Sequence, residues 1–197
     1  MQFKAFESGI EVNGQTVFSV VDGMGRYKSI SGRILSDVGI GSMSGGDYQI
    51  EMDGWYSHDA WLKALEQITS EVGESTLNQI GLKIPENAQF PPWVKDIDSA
   101  IKSIDIAYHM NHRKGDKVLF DPDTGEIAEG IGHYGYERVE GQKKIISVCN
   151  NPYPCSFDIG IVTTMAKKFE PGAFVVHDKS APCRKDGADS CTYVISW

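Results

Sequence analysis

The residues best suited to chemistry are four cysteines in the last quarter of the chain: Cys149, Cys155, Cys183 and Cys191. Cys183 and Cys191 flank a charged, glycine-containing turn that can bring their sulfurs together. Cys155 stands at the predicted start of a helix, where unpaired N–H groups favour a thiolate. His177 and Asp178 lie between these cysteines in sequence. Three thiolates plus an imidazole or a carboxylate would give zinc its usual four ligands.

Buried, reduced thiols that pack as small apolar side chains are the alternative interpretation. The spacing is not that of paired CxxC motifs, so the sequence leaves both interpretations open. Cys149 differs from the other three because it ends a predicted strand, IISVC. We expect it to pack in the core or to serve as an auxiliary ligand.

Composition and charge exclude several classes of protein. The 197 residues are 41% hydrophobic and 23% charged, which is a globular composition. The net charge of −8 argues against nucleic acid and anionic membranes as partners. The N-terminus has no signal-peptide pattern, and no apolar run approaches the roughly 20 residues that span a bilayer. We therefore expect a cytoplasmic protein whose cysteines are thiols or metal ligands.

The order of elements predicts an α+β fold, with an antiparallel sheet covered by helices. In the N-terminal segment, 1–54, Asn13-Gly14 separates two apolar stretches, at 10–12 and 16–21, which is typical of a hairpin. This segment is expected to be strand-rich, and a domain is expected to follow it over residues 55–197. Apolar spacing predicts helices at about 58–72, 75–83, 92–112 and 155–169. Strands are predicted at about 117–120, 131–139, 143–149, 173–177 and 190–197.

Residues of about 130–197 resemble the 4-vinyl reductase domain. The resemblance rests on a strand leading into Asn-Pro-Tyr-Pro, on Cys155 opening a helix that contains Gly160, and on Cys183 and Cys191 with seven residues between them. A terminal strand, TYVISW, follows. The domain belongs to a superfamily of small-molecule-binding modules, which also includes haem-based nitric-oxide-binding domains and Golgi-transport adaptor subunits.

The resemblance implies a zinc ion held by three cysteines and a nearby glutamate. By position, the thiolates would be Cys155, Cys183 and Cys191. No glutamate lies in the stretch 171–182 directly before Cys183, so Asp178 would take its place, with His177 as the alternative.

An apolar pocket for a small apolar or aromatic ligand is implied by the same resemblance. We expect its wall to contain Trp93, Ile97, Ile101, Ile104, Tyr108, Phe157, Ile161 and Met165. Each of these side chains is also an ordinary candidate for the core.

Haem is the alternative cofactor. His109 and His112 share one face of a predicted helix, and either could be an axial ligand or, with His133, a metal ligand. Histidines near a helix C-terminus also cap carbonyl groups without any cofactor. The segment YGYER, residues 134–138, resembles the haem-propionate motif Tyr-x-Ser-x-Arg, with Tyr136 in place of the serine.

Three functions follow as hypotheses. The first is a non-enzymatic ligand-binding or sensory module with a structural zinc, acting as a homodimer through a separate signalling partner. The second is a haem-binding gas sensor. The third is an enzyme acting on a tetrapyrrole or an aromatic vinyl group. The chain contains no GxSxG, Walker A or HExxH motif, which favours a function without catalysis.

Overall fold

The computed structural model describes residues 1–86 and 88–197. The first half contains β1 (Ile10–Asn13), α1 (Gly14–Gly23), α2 (Lys28–Asp37), β2 (Ser42–Ser44), β3 (Asp47–Gln49), β4 (Trp55–Ser57), α3 (His58–Val72) and α4 (Glu74–Lys83). The second half contains α5 (Ile97–Met110), β5 (His112–Lys114), β6 (Lys117–Val118), β7 (Glu137–Arg138), β8 (Lys144–Cys149), α6 (Cys155–Phe169), β9 (Phe174–His177) and β10 (Cys191–Ser196). The predicted α+β class is confirmed.

Two four-stranded antiparallel sheets organise these elements. The C-terminal sheet has the order β7-β8-β10-β9, and the other has the order β4-β1-β5-β6. In β10, Cys191, Tyr193 and Ile195 are buried and alternate with less buried neighbours, so one sheet face packs on the helices. The second sheet pairs β1 with both β4 and β5. The domain division after residue 54 stays a prediction.

Of the two strands of the predicted N-terminal hairpin, the structure contains the first but not the second. Residues 10–13 do form a strand, but residues 16–21 belong to α1. Asn13 is the helix N-cap, since its side chain accepts a hydrogen bond from the Gln15 N–H at 2.8 Å. Val17, Val20 and Val21 are buried on one helix face. Their three-and-four spacing is a helical signal that outweighs the turn-like Asn-Gly pair.

Capping also sets the start of α5, which is shorter than predicted. The Asp96 side chain accepts a hydrogen bond from the Ser99 N–H at 2.7 Å, and the Ser99 hydroxyl contacts the Asp96 N–H. This reciprocal cap begins the helix at Ile97 rather than near residue 92. No described helix combines the length and the apolar character that crossing a membrane requires.

Helices α4 and α6 pack against each other through glycines. A β-carbon on Gly81 would overlap the Phe157 carbonyl oxygen, and one on Gly160 would lie 2.5 Å from the Asn78 carbonyl oxygen. The two backbones therefore approach more closely than any larger residue would allow. This contact fixes the position of α6.

Replacing Gly160 with alanine should therefore destabilise the fold, even though alanine is the better helix former. Overpacking of this kind costs about 1–3 kcal/mol, which exceeds the roughly 1 kcal/mol gained from helix propensity. Urea unfolding monitored by circular dichroism measures the difference. Gly172→Ala is the control, because a β-carbon there meets nothing within 4 Å. Equal midpoints for the two variants would contradict the glycine contact.

Candidate metal centre and ligand pocket

Three thiols and an imidazole converge at the edge of the C-terminal sheet. The ligand atoms of Cys155, His177, Cys183 and Cys191 all lie within 4.8 Å of one another. The sulfur of Cys183 is 3.7 Å from those of Cys155 and Cys191, which are 3.0 Å apart. Sulfurs around a tetrahedral zinc are about 3.8 Å apart, given zinc–sulfur bonds near 2.3 Å. This cluster can hold a metal ion.

Each of the four candidate ligands lies at the end of a helix or strand, or directly beside one. Cys155 is the first residue of α6, Cys191 is the first of β10 and His177 is the last of β9. Cys183 precedes a short helical turn, Arg184–Asp186, which Gly187 closes in the left-handed conformation at φ 91°. Strands β9 and β10 are neighbours in the sheet and pair His177 with Tyr193. The register of these two strands therefore sets the position of the His177 imidazole.

Of the two predicted fourth ligands, the structure brings His177 into the cluster. Its Nε2 is buried and, among the described residues, has no hydrogen-bond partner. A bound cation would satisfy this lone pair, which is the observation that best fits a metal here. Asp178 is not among the four clustered residues. Its carboxylate instead accepts hydrogen bonds from the N–H and hydroxyl of Ser180, at 2.9 and 2.6 Å.

Donors around the sulfurs favour negative charge at Cys191. The Cys155 thiol and the main-chain and side-chain N–H groups of Arg184 contact its sulfur, and these contacts lower the pKa of Cys191. The Gln2 amide donates to the Cys155 sulfur at 2.7 Å. Metals bind the thiolate form of cysteine, so this environment favours coordination.

Cys149 lies outside the cluster. It pairs with Cys191 across β8 and β10, and its side chain is completely buried. Burial raises the pKa of the Cys149 thiol. The environment is that of a core thiol, as one of the two sequence interpretations proposed.

A cavity of about 530 Å³ opens between α5, α6 and the N-terminal helices. Six of the eight predicted wall residues line it: Trp93, Ile104, Tyr108, Phe157, Ile161 and Met165. Ile97 and Ile101 are buried core residues and do not belong to the wall. Ile97, Ile101, Ile104 and Tyr108 form the predicted stripe of α5, but the cavity faces only the C-terminal half of the helix, from Ser103 onward.

Apart from Phe90 and Trp93, which precede α5, the sequence did not predict the wall contributed from outside α5 and α6. The further lining residues include Thr16, Val20, Trp61, Ile84, Pro85, Gln89 and Tyr153. Thr16 and Val20 lie on α1, whereas the sequence predicts a hairpin strand for these residues. The helical spacing of the valines in α1 was the available signal. No lysine, arginine, aspartate or glutamate occurs among the described lining residues.

A buried aromatic and histidine cluster forms the floor of the pocket. His112 Nδ1 lies 2.7 Å from the Tyr108 carbonyl oxygen and His112 Nε2 lies 3.0 Å from the Tyr153 hydroxyl. A carbonyl only accepts, so Nδ1 carries the proton and Nε2 accepts from Tyr153. The Trp61 indole N–H donates to the same hydroxyl at 3.1 Å. His58 packs edge-on against His112, with ring centres 4.9 Å apart.

His109, the other predicted haem ligand, faces away from this wall. Its Nδ1 lies 2.8 Å from the Asp105 carbonyl oxygen, and its ring stacks near that of His133. His133 contacts the carboxylates of Asp105 and Glu129, both at 3.1 Å. Burial alone would lower the pKa of His133, but these two carboxylates raise it. His109 Nε2 is buried and has no hydrogen-bond partner among the described residues. The ligand atoms of Asp105, His109 and His133 lie within 4.8 Å of one another and could hold a metal ion, whereas His112 is not part of this group.

Within YGYER, the side chains have separate roles. The Tyr134 hydroxyl, at the pocket wall, donates to Asp158 at 2.6 Å. The Tyr136 hydroxyl donates to Asp98 at 2.5 Å. The Arg138 guanidinium stacks over the Trp197 ring at 4.4 Å. Only Tyr134 of these three lines the cavity.

Solved structures with this architecture include H-NOX proteins. The S. oneidensis H-NOX protein in its Fe(II)NO ligation state has a TM-score of 0.57 at 13% identity, covering 93% of this chain and 98% of that one. A mutant of T. tengcongensis H-NOX has a TM-score of 0.62 at 12% identity, covering 93% and 96%. An oxygen-binding H-NOX domain related to soluble guanylate cyclases, solved as its oxygen complex, has a TM-score of 0.61 at 12% identity, covering 93% and 94%. Neither a protein-family model nor a curated protein sequence matches the chain. The chain has an H-NOX-like fold.

Acid should destabilise the protein through the buried histidines. Burial lowers the pKa of His112 from 6.5 to about 4, so the folded state holds it neutral where the unfolded chain takes up a proton. The stabilisation is complete above pH 6.5 and is lost as the pH falls from 6.5 towards 4. At pH 5 the cost is about 2 kcal/mol relative to pH 7. Urea unfolding of the wild type and of His112→Gln at both pH values measures it, and an undiminished pH dependence in the variant would contradict the assignment.

Proposed function

We propose that this protein is a non-enzymatic small-molecule-binding or sensory module of the 4-vinyl reductase type, with a structural zinc beside its ligand pocket. One observation carries the proposal: α6 serves both sites. Its first residue is Cys155 of the metal cluster, and Phe157, Ile161 and Met165 of the same helix line the cavity. Zinc would join α6 to β9, β10 and the Cys183 turn, and so would hold one wall of the pocket in place.

The lining favours a neutral apolar or aromatic ligand. The cavity volume falls within the range of ordinary small-molecule sites, and its wall contains rings from Trp61, Trp93, Tyr108 and Phe157. The Tyr108 hydroxyl is already used, since it donates to the Ile131 carbonyl at 2.8 Å. A charged ligand would lose its hydration without gaining a partner of opposite formal charge from the described wall.

Haem fits these residues poorly. Both ring nitrogens of His112 are hydrogen-bonded, and His109 lies outside the wall. The propionates of a haem need cations, yet Arg138 stacks on Trp197 and is not part of the lining. The exposed Lys168, 4.6 Å from the ring centre of Phe90, does not belong to the wall either. We therefore favour a haem-free pocket.

The arrangement of side chains in the pocket wall gives little support to the hypothesis that the protein is an enzyme. The hydroxyls of Tyr108, Tyr134 and Tyr153, which are the acid groups nearest a bound ligand, all take part in hydrogen bonds within the protein. Burial raises the pKa of each. These groups suit the shape and polarity of a binding site better than proton transfer.

A homodimer and a separate signalling partner remain proposals. The outer face of the C-terminal sheet offers a surface for the former, because Val148, Phe174 and Val176 are 42%, 66% and 39% exposed. An apolar patch of this kind is common where two proteins meet. Sedimentation velocity over a range of concentrations measures the oligomeric state.

Purified protein should contain one zinc ion per chain. Replacing Cys183 with serine should weaken zinc binding by at least about tenfold and lower the thermal midpoint, because the ion links folding to binding. Elemental analysis and chelator titration measure this. Cys149→Ser is the matched control, since that thiol is buried but outside the cluster. Full zinc retention in Cys183→Ser would refute the ligand set, and a Soret band in the visible spectrum would instead support haem.

The pocket should bind N-phenyl-1-naphthylamine, a neutral aromatic fluorophore. Ile161→Trp places a larger side chain in the cavity and should weaken probe binding at least about tenfold, since it fills space the probe needs. Fluorescence titration gives the affinity. Lys167→Trp adds the same side chain at an exposed position of α6 and should leave the affinity unchanged. Equal affinities in both variants would place the probe elsewhere.

A further inference from the structure

A buried ion pair lies between the pocket and the metal cluster. Arg184 and Asp158 have side chains that are 0% exposed, and the Arg184 Nη2 donates to Asp158 Oδ2. Two charges without access to water are costly unless every donor and acceptor is satisfied. The remaining contacts of this pair therefore show what it holds in place.

On one side, Arg184 holds a metal ligand. Its main-chain N–H donates to the Cys191 sulfur at 3.3 Å, and its side-chain Nε does so at 3.5 Å. Charge-assisted donors of this kind stabilise a thiolate and fix its direction. Partners beyond the direct ligands commonly orient a coordinating side chain in this manner and tune its affinity for the metal.

On the other side, Asp158 holds the pocket wall. Its Oδ1 accepts the Tyr134 hydroxyl at 2.6 Å, and Tyr134 lines the cavity. Arg184 Nη1 also donates to the Asn151 side chain, which accepts the main-chain N–H of Tyr153, another lining residue, at 3.0 Å. The guanidinium is thus tied to two residues of the wall.

We propose that Arg184 is a positioning residue that couples ligand binding in the pocket to metal binding at the cluster. The path runs from Tyr134 through Asp158 and Arg184 to the Cys191 sulfur. A ligand that packs against Tyr134 stabilises the arrangement in which this path is complete, and so holds Cys191 ready for the metal. The inference rests on the proposed function, because it needs both a ligand in the cavity and a metal at the cluster.

The test is a linkage experiment on the full chain. Zinc affinity is measured by competition with a chromogenic chelator, with and without saturating N-phenyl-1-naphthylamine. The probe should tighten zinc binding about fivefold in the wild type, within the usual range of coupling between two sites. Tyr134→Phe removes only the hydroxyl that contacts Asp158 and should bring the ratio close to one. Tyr108→Phe removes a hydroxyl from the same wall that contacts the Ile131 carbonyl, and it should keep the fivefold ratio.

Cobalt substitution supplies a readout that a merely structural role would not change. The visible ligand-field bands of the Co²⁺ protein should shift when the probe binds to the wild type and to Tyr108→Phe, but not to Tyr134→Phe. If Tyr134→Phe does not fold by circular dichroism, Arg184→Lys replaces it. That variant keeps a cation beside Asp158 but lacks the Nε donor to Cys191, and it should also lose the probe effect.

The outcomes separate the inference from the function on which it rests. A zinc affinity that the probe leaves unchanged in the wild type would overturn the coupling, although zinc and probe still bind. A fivefold ratio that persists in Tyr134→Phe would overturn the path from Tyr134 through Asp158 and Arg184, and with it the proposal. Absence of zinc or probe binding in the wild type would overturn the proposed function, and the inference with it.

Discussion

The burial of one arginine and one aspartate constrains the C-terminal half of this protein more than any other interaction. Arg184 and Asp158 lie where water cannot reach them, so the chain must supply their hydrogen-bond partners. Burial raises the pKa of Asp158, while Arg184 and the Tyr134 hydroxyl act in the opposite direction. The turn after Cys183, the start of α6 and the loop containing Asn151 all meet at this pair. The cysteine and histidine cluster and the pocket wall are built around that meeting point.

Helix α6 carries Asp158 of this pair and also contributes residues to both the cysteine cluster and the pocket wall. Gly160 allows its backbone to touch α4, its first residue enters the cysteine cluster, and its apolar side chains enter the cavity. A helix that contributes to the cysteine and histidine cluster at one end and makes a close backbone contact along its length has little freedom to move independently of either. A pocket wall on such a helix is preorganised, which lowers the entropic cost of ligand binding.

Much of the C-terminal half could be predicted from the sequence, because there the local patterns and the tertiary fold agree. Cys155 opens α6 as expected, and two strands precede and two follow this helix along the chain, as predicted. The N-terminal error has the opposite cause: Asn13-Gly14 is a good turn by itself, but Asn13 caps a helix whose valines need burial. The fourth ligand was left open between Asp178 and His177, since sequence spacing does not show which neighbour faces the sulfurs. In the structure His177 is the residue that joins the three sulfurs, and it lies opposite Tyr193 in the strand register. The sequence does not indicate that Arg184 is buried, because a turn rich in lysine and aspartate is typical of the solvent-exposed surface.

The position of β9 has a consequence for how this molecule meets other chains. Among the described strands, β9 pairs only with β10, so it forms an edge of the C-terminal sheet. Edge strands present main-chain donors and acceptors to which a further strand can add. The last residue of this edge is His177, whose imidazole belongs to the metal cluster. A polypeptide extending the sheet there would therefore lie next to the cysteine and histidine side chains of the cluster, so assembly at this border would affect any metal ion that they hold.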